Sequence, residues 1–147
     1  MTSIDANLLL YCYSQASPFH QQAREFIEGL SSSSDVAVSE FVLVEFYTLL
    51  RNPAVLAKPL AASKAVEVVG LYRRHPNWTL LGFDPDSVGL HNALWPLAAE
   101  RAFPRRRIYD VRLALTLNRQ GVTEFATANV KDFDGFGFTR VWNPLEA

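Results

Sequence analysis

Short apolar segments alternate along the chain with longer segments in which apolar residues recur at the three- and four-residue spacing of a helix. The apolar segments predict strands at residues 2–5, 35–39, 78–83, 123–129 and 139–143. The longer segments predict helices at residues 17–30, 40–52, 60–74, 84–102 and 109–121. Because strands and helices alternate, we expect an α/β fold with a mainly parallel sheet covered by helices on both faces.

Residues that begin or end helices support several of these boundaries. Ser17 is a candidate N-cap, with Pro18 at the first helical position. Ser39 is placed to cap the helix that starts at residue 40, and Pro53 ends that helix. Gly121 follows the last predicted helix, as expected for the residue that ends a helix in a left-handed conformation.

Composition limits what the chain can be. Its 147 residues are 49% hydrophobic and 12% aromatic, which predicts one domain, spanning 1–147, with a substantial core. The net charge of −1 excludes a protein that coats nucleic acid non-specifically, so any such contact must come from a local basic cluster. Cys12 is the single cysteine and cannot form an internal disulfide. With neither a signal peptide nor about 20 consecutive apolar residues, we expect a cytoplasmic protein without membrane association.

Four acidic residues occur at positions that the predicted sheet brings to one edge. Asp5 ends the first strand, and Glu45 lies one to two turns into the helix after the second strand. Asp110 stands near the start of a later helix, while Asp132, together with Asn129, follows the residues FAT at the end of another strand. In a parallel sheet the carboxyl ends of the strands share one edge, where ligands bind. We therefore expect the four carboxyl groups to meet there.

Each acid also has an explanation of its own. Asp5 and Asp132 suit turns, Asp110 suits a helix N-terminus, and Glu45 can pair with Arg51 or face water. Their joint placement changes the picture, because crowded carboxylates raise one another's pKa unless a cation lies among them. Carboxylate oxygens without cysteine or histidine suit Mg²⁺ or Mn²⁺.

Several segments of the chain resemble the PIN domain, and specifically the VapC toxins of type II toxin–antitoxin systems. These segments are SIDANLLLY, SEFVLVEFYTLLRNP, RIYDVRLALTLNRQGVTEFATANVKDF and the terminal VWNP. The resemblance covers essentially the whole chain and implies a three-layer α/β/α sandwich and a metal-dependent endoribonuclease.

The resemblance also implies which residues act. Asp5, Glu45 and Asp110 match the three acids that hold the metal ion, Mg²⁺ or Mn²⁺. Relatives place the fourth acid at one of two positions, which are occupied here by Asn129 and Asp132. We favour Asp132, with Asn129 as a neutral neighbour.

Further polar residues match positions that lie close to these acids in the PIN-domain family that the chain resembles. Asn7 and Ser39 match positions near the site, where they would orient Asp5 and the waters of the metal. An Asx turn at Asn7 and a helix cap at Ser39 explain the same residues without any role in chemistry. Among the arginines around Asp110, we expect Arg106, Arg107 and Arg112 to contact RNA phosphates, although a solvated basic turn explains them equally well. Phe103 or Tyr109 could stack on an unpaired base.

The resemblance implies two protein partners and one substrate class. The partners are a cognate VapB-type antitoxin, bound as a segment in a groove, and a second copy of the chain in a homodimer. The substrate is RNA, and structured RNA with an exposed loop is the expected kind. A metal-activated water would attack the phosphate and leave a 5′-phosphate and a 3′-hydroxyl, so none of the three histidines is required.

Two other functions are compatible with parts of the pattern. A phosphatase that uses Asp5 as nucleophile would need an acid at position 7, where the chain has Asn7. A non-catalytic, receiver-like binding module would need an aspartate at the end of the third strand, where Phe83 stands. A PIN-like protein that has lost catalysis is a further alternative, and the intact acids argue against it.

Overall fold

The computed structural model describes residues 1–146, and a five-stranded sheet forms its centre. The strands are β1 (Thr2–Ile4), β2 (Val36–Ser39), β3 (Thr79–Leu81), β4 (Glu124–Ala126) and β5 (Arg140–Trp142). They lie in the order β3-β2-β1-β4-β5, and every neighbouring pair is parallel. The predicted parallel sheet is therefore confirmed. Ala147, the last residue of the predicted domain, lies outside the described residues.

The helices pack in two layers, one on each face of the sheet. Residues 1–146 contain α1 (Ala6–Tyr13), α2 (His20–Leu30), α3 (Glu40–Leu50), α4 (Ala62–Arg73), α5 (Ser87–Ala98), α6 (Arg107–Arg119) and α7 (Val130–Phe133). The strands β2 and β3 lie on one side of β1 in the sheet, and β4 and β5 lie on its other side. Because crossovers between parallel strands are right-handed, α1–α4 lie on one face of the sheet and α5–α7 lie on the opposite face. In agreement, α1 contacts α2 and α3, whereas α6 contacts α5 and α7. The predicted three-layer α/β/α sandwich is confirmed.

The central strands are buried on both faces, as their apolar sequences require. Ile4 of β1, Val36 and Val38 of β2, and Phe125 of β4 are all at most 1% exposed. Such continuous apolar segments are typical of parallel strands that are covered by helices on both sides. The buried hydroxyl of Ser3 is satisfied because it donates a hydrogen bond of 2.7 Å to the carbonyl oxygen of Ala37.

Two helices were not predicted from the sequence. The helix α1 follows β1 directly, and its Leu8, Leu9 and Leu10 are all buried. Because apolar residues cover most sides of α1, its sequence lacks the alternation of apolar and polar faces that identifies a surface helix. The other helix, α7, is a single turn of 4 residues and is too short to leave a periodic pattern.

Other boundaries shift for local reasons. The helix predicted at 17–30 begins at His20, because the Ser17 hydroxyl oxygen accepts from the Phe19 N–H in a turn that precedes the helix. The helix predicted at 84–102 covers only Ser87–Ala98, since Asp86 caps it by accepting from the Gly89 N–H. Gly121 ends α6 with a φ of 91°, as predicted. The longest helix has 13 residues, and none within residues 1–146 is long and apolar enough to cross a bilayer.

Candidate functional site

The candidate site lies where the strand order changes direction. The neighbouring strands β1 and β4 lead to helices on opposite faces of the sheet, so their carboxyl ends border a crevice. Asp5 follows β1 and Thr127 follows β4. The Asp5 N–H donates to the carbonyl oxygen of Ala126 at 2.9 Å, which holds the two strand ends together.

Asp5 is a buried carboxylate with a defined set of hydrogen bonds. The residue is 5% exposed and caps α1, where one oxygen, Oδ1, accepts from the Ala6 N–H at 2.8 Å. The other oxygen, Oδ2, accepts from the Thr127 hydroxyl at 2.6 Å. Burial nevertheless raises the pKa of Asp5, because it outweighs these two hydrogen bonds, and the charge of Asp132 raises the pKa further.

Glu45 and Asp110 approach the same crevice from the two helical layers. Partial burial, followed by the charges of Asp5 and Asp110, raises the pKa of Glu45 on α3 to about 7. Burial also raises the pKa of Asp110, in the first turn of α6, to about 6; the charges of Asp132 and Asp5 add to this effect, and Arg107 opposes it. These mutual effects connect all four predicted acids, so the fold brings them into one electrostatic group.

Within residues 1–146, none of the four carboxylates forms a salt bridge, because no lysine, arginine or amino-terminal nitrogen lies within 4.0 Å of their oxygens. Arg107 lowers the pKa of Asp110 without such a contact. Among the same residues, no three histidine, cysteine, aspartate or glutamate side chains form a group that could hold a metal ion. Magnesium suits such an open arrangement, because it usually keeps several waters and binds only one or two carboxylates directly. Hard oxygen donors with raised pKa values therefore fit Mg²⁺ or Mn²⁺.

The two candidates for the fourth acid position have different surroundings. Asp132 is an exposed residue of α7, and its charge acts on both Asp5 and Asp110. Asn129 precedes α7, and its backbone N–H donates to the Thr127 hydroxyl oxygen at 3.0 Å. Asp132 therefore belongs to the acidic group, whereas the observed bond of Asn129 is a backbone contact that supports Thr127.

The two other predicted polar residues make structural hydrogen bonds. Ser39 is fully buried and caps α3, because its hydroxyl oxygen accepts from the Phe41 N–H at 3.1 Å. The side-chain oxygen of Asn7 accepts from the Ala128 N–H at 3.4 Å and so connects α1 to the segment after β4. Both residues fix elements that carry the acids.

Thr127 was not identified as a site residue from the sequence. It is fully buried, donates to Asp5 and accepts from the Asn129 N–H, so it holds Asp5 in one orientation. The available signal was a polar residue that directly follows the buried apolar strand in EFATAN. A threonine at that place is also a common strand residue, and only the pairing of β1 with β4 reveals its partner.

The predicted arginines differ in their contacts. The guanidinium of Arg112 lies 5.2 Å from the centre of the Phe41 ring and 5.9 Å from that of Tyr109. Arg107 is half-buried, lies over the Phe136 ring at 5.6 Å and lowers the pKa of Asp110. Arg106 is exposed and precedes α6.

A cleft opens beside the acidic group. It has a volume of about 760 Å³, and Glu45, Asp110, Phe41, Tyr109 and Arg112 line it. Each bordering helix supplies one carboxylate and one aromatic ring: Glu45 and Phe41 belong to α3, and Asp110 and Tyr109 belong to α6, which also carries Arg112. This combination can hold a cation next to a phosphate and an unpaired base.

The histidines are engaged elsewhere. His75 stacks on Trp78 with ring centres 4.1 Å apart, and a ring nitrogen of His91 lies 2.7 Å from the Ser87 carbonyl oxygen. A ring nitrogen of His20 lies 3.1 Å from the carbonyl oxygen of Tyr11. These contacts hold His75 and His91 within their own loop and helix, and they connect His20 of α2 to α1.

In the absence of divalent metal, we expect the protein to lose stability as the pH rises from about 5 to about 8. Folding raises the pKa of Glu45 from 4.5 to about 7 and that of Asp110 from 3.8 to about 6. At a pH between the unfolded-state and folded-state pKa values of each group, the folded protein retains a proton that the unfolded chain has released. The free energy of unfolding therefore falls with increasing pH. After a discount for solvent exposure, we expect a loss on the order of 1 kcal/mol, or roughly 2–4 °C in Tm.

The measurement is Tm against pH in a buffer that contains a chelator. Glu45→Gln should flatten the decline, whereas Glu25→Gln, at an exposed position of α2, should leave it unchanged. A Tm that increases steadily from about pH 5 to about pH 8 would contradict the expected crowding of the acids.

Comparisons with known proteins agree with this geometry. A family model described as PIN domain matches residues 3–128. The chain is 46% identical over 145 residues to ribonuclease VapC24 of Mycobacterium tuberculosis H37Rv. This alignment covers 99% of this chain and 97% of the relative. It is also 25% identical to ribonuclease VapC48 of the same strain, with 97% of each chain covered.

A solved structure has the same fold. The crystal structure of Mycobacterium tuberculosis VapC20, described as a sarcin–ricin loop cleaving toxin, superposes with a TM-score of 0.66 at 16% identity. That match covers 94% of this chain and 96% of the other. With the family model matched over most of the chain and a full-length relative at 46% identity, the chain belongs to the PIN-domain family.

Proposed function

We propose that this protein is a divalent-metal-dependent endoribonuclease that acts as the toxin of a VapBC-type toxin–antitoxin pair. The observation that carries the proposal is the group of Asp5, Glu45, Asp110 and Asp132, whose charges act on one another and lack any cationic partner within 4.0 Å in residues 1–146. The identity of 46% to a protein named ribonuclease VapC24 supports the same activity.

Asp5 and Asp110 are the proposed principal ligands of Mg²⁺ or Mn²⁺, with Glu45 and Asp132 completing the site directly or through water. A bound divalent ion supplies an activated water and offsets the negative charge of the phosphate. The protein's own residues prepare the site. Thr127 fixes the orientation of Asp5, and Arg112, at the wall of the cleft, is placed to contact a phosphate.

The proposed substrate is RNA in which a single-stranded loop is exposed, because the cleft places aromatic rings beside the carboxylates. The proposed protein partners are a VapB-type antitoxin and a second copy of the chain. A solved VapBC complex from Salmonella typhimurium, with a TM-score of 0.66 at 19% identity, has the same toxin fold. The proposed place of action is the cytoplasm, where such RNAs occur.

The other two functions suggested by the sequence gain no structural support. The position that a phosphatase would use for a second acid holds Asn7, whose side-chain oxygen accepts from a backbone N–H. At the end of β3, where a receiver-like module needs an aspartate, Phe83 is 83% exposed. Neither arrangement offers the required carboxylate.

The proposal is tested by incubating the purified protein with total RNA and Mn²⁺ and identifying the ends of the products. We expect 5′-phosphate and 3′-hydroxyl ends, because water rather than the 2′-hydroxyl attacks. His75→Ala should change the rate by less than about twofold, since this imidazole stacks on Trp78 and moves no proton in the reaction. Products with 2′,3′-cyclic phosphates, or loss of cleavage in a folded histidine variant, would refute the mechanism.

A further inference from the structure

We propose that the groove between α5 and α6 is a second RNA-binding subsite, in which unpaired bases next to the cleaved phosphate stack on Trp95 and Tyr109. This inference rests on the proposed nuclease function and extends it, because it assigns binding of the flanking nucleotides to residues outside the acidic group. We call this surface the α5–α6 groove and define it by Trp95, Phe103, Arg105, Ile108 and Tyr109.

Large aromatic side chains are unusually open to solvent on this side of the molecule. Trp95 is 58% exposed and Tyr109 is 65% exposed, although both belong to helices that bury other residues in the core. Rings of this size contribute much of the energy of a protein's interactions, and adjacent exposed rings mark a binding surface.

The α5–α6 groove borders the catalytic cleft, because the two share lining residues. Tyr109 and Arg112 form one wall of the cleft that contains Glu45 and Asp110. The same two residues, with Trp95, line a neighbouring depression of about 200 Å³. Trp95 then borders a further depression of about 430 Å³ that reaches Phe103 and Arg105. A strand whose phosphate lies at the acids would therefore pass Tyr109 before it reaches Trp95.

The charge along this path suits a polyanion. Within residues 1–146, Arg105 and Arg112 line the two depressions that form the groove, and no acidic residue lines either of them. Neither arginine lies within 4.0 Å of a carboxylate oxygen of these residues. A basic groove interleaved with aromatic rings is the arrangement that binds single-stranded nucleic acid.

Arg112 is already held in a position that serves both contacts. Its guanidinium lies between the rings of Phe41 and Tyr109, at 5.2 and 5.9 Å from their centres. A planar guanidinium in this position can stack on a base or donate to a phosphate oxygen. Arg112, a residue suited to RNA binding, therefore lies where the catalytic cleft meets the α5–α6 groove.

RNA fits this surface better than a second copy of the chain. A twofold interface centred on this groove would bring Arg105 and Arg112 of both copies together, with no acid among the described lining residues to pair with them. Like charges that face each other across an interface are repulsive, whereas RNA brings one negative charge with each nucleotide. The charge distribution thus selects a polyanion as the occupant.

The test measures RNA binding separately from cleavage. Asp5→Asn protein in a chelating buffer is titrated into a fluorescently labelled single-stranded RNA, and anisotropy gives the Kd. Adding Trp95→Leu should weaken binding by about tenfold, because stacking on the indole ring is lost. Trp95→Phe should retain most of the affinity. Phe19→Leu, at a 41% exposed ring in the other helical layer, is the matched control and should bind like the parent.

Tyr109→Leu provides an independent variant, and Tm measurements identify any variant that fails to fold. An unchanged Kd in folded Trp95→Leu and Tyr109→Leu proteins would overturn the proposal. So would an unchanged Kd in Trp95→Leu accompanied by a loss of dimer in light scattering, because the surface would then join subunits. If the metal-free parent binds RNA and Trp95→Leu weakens that binding but wild type cleaves no RNA, the subsite stands and the proposed nuclease function fails.

Discussion

Replacing Asp5 with asparagine should lower metal-dependent RNA cleavage by at least about a hundredfold, because a ligand contribution of several kcal/mol is lost and each 1.4 kcal/mol is a factor of ten. The fold should survive the change. Asparagine keeps the size of the side chain, and its oxygen can still accept from the Ala6 N–H, as Asp5 does now. The new amide can donate to the Thr127 hydroxyl oxygen, which retains a free lone pair after accepting from the Asn129 N–H.

Stability gives this prediction a second readout. Burial raises the pKa of Asp5, so the ionised carboxylate is disfavoured by its surroundings in the absence of metal. We therefore expect the metal-free Asp5→Asn protein to have a Tm equal to or above that of wild type. Asp134→Asn, at an exposed acid just after α7, is the matched control and should cleave RNA normally. Full cleavage by folded Asp5→Asn protein would remove Asp5 from the metal site.

Removal of divalent metal should abolish cleavage, and added Mn²⁺ or Mg²⁺ should restore it. The four carboxylates act on one another and form no salt bridge within residues 1–146, so a bound ion should relieve their repulsion and also raise the Tm. This increase should be larger at about pH 8 than at about pH 5.5, because metal binds the deprotonated carboxylates and protons compete with it at the lower pH.

The experiment combines RNA cleavage and thermal unfolding in matched buffers that contain either a chelator or excess Mn²⁺. Asp5→Asn protein should show a much smaller Mn²⁺-dependent increase in Tm than wild type. Cleavage that persists after exhaustive chelation, or a Tm that does not respond to Mn²⁺ at either pH, would show that the acidic group does not bind metal.

The positions of the acids could be predicted because they follow from topology. Alternation of strands and helices implies a parallel sheet, and a parallel sheet collects the carboxyl ends of its strands at one edge. Asp5 and Asp132 were placed by this rule alone, since each follows a strand. Glu45 was placed by its distance along the chain from Ser39, the predicted N-cap of its helix. The structure confirms that Ser39 caps α3.

Other features could not be predicted because they depend on partners far away in the sequence. The helix α1 is buried on most sides, so its three consecutive leucines carry no helical period. The role of Thr127 depends on a hydrogen bond to a residue 122 positions earlier. The sequence already favoured Asp132 over Asn129, but the effect of the Asp132 charge on the pKa values of Asp5 and Asp110 is contained in no local pattern.

The pairing of β1 with β4 has a consequence for protein synthesis. Asp5 is made 122 residues before the threonine that orients it. Until β4 is translated and docks beside β1, the crevice has only one of its two borders. A growing chain therefore carries no assembled acidic site until that docking has taken place.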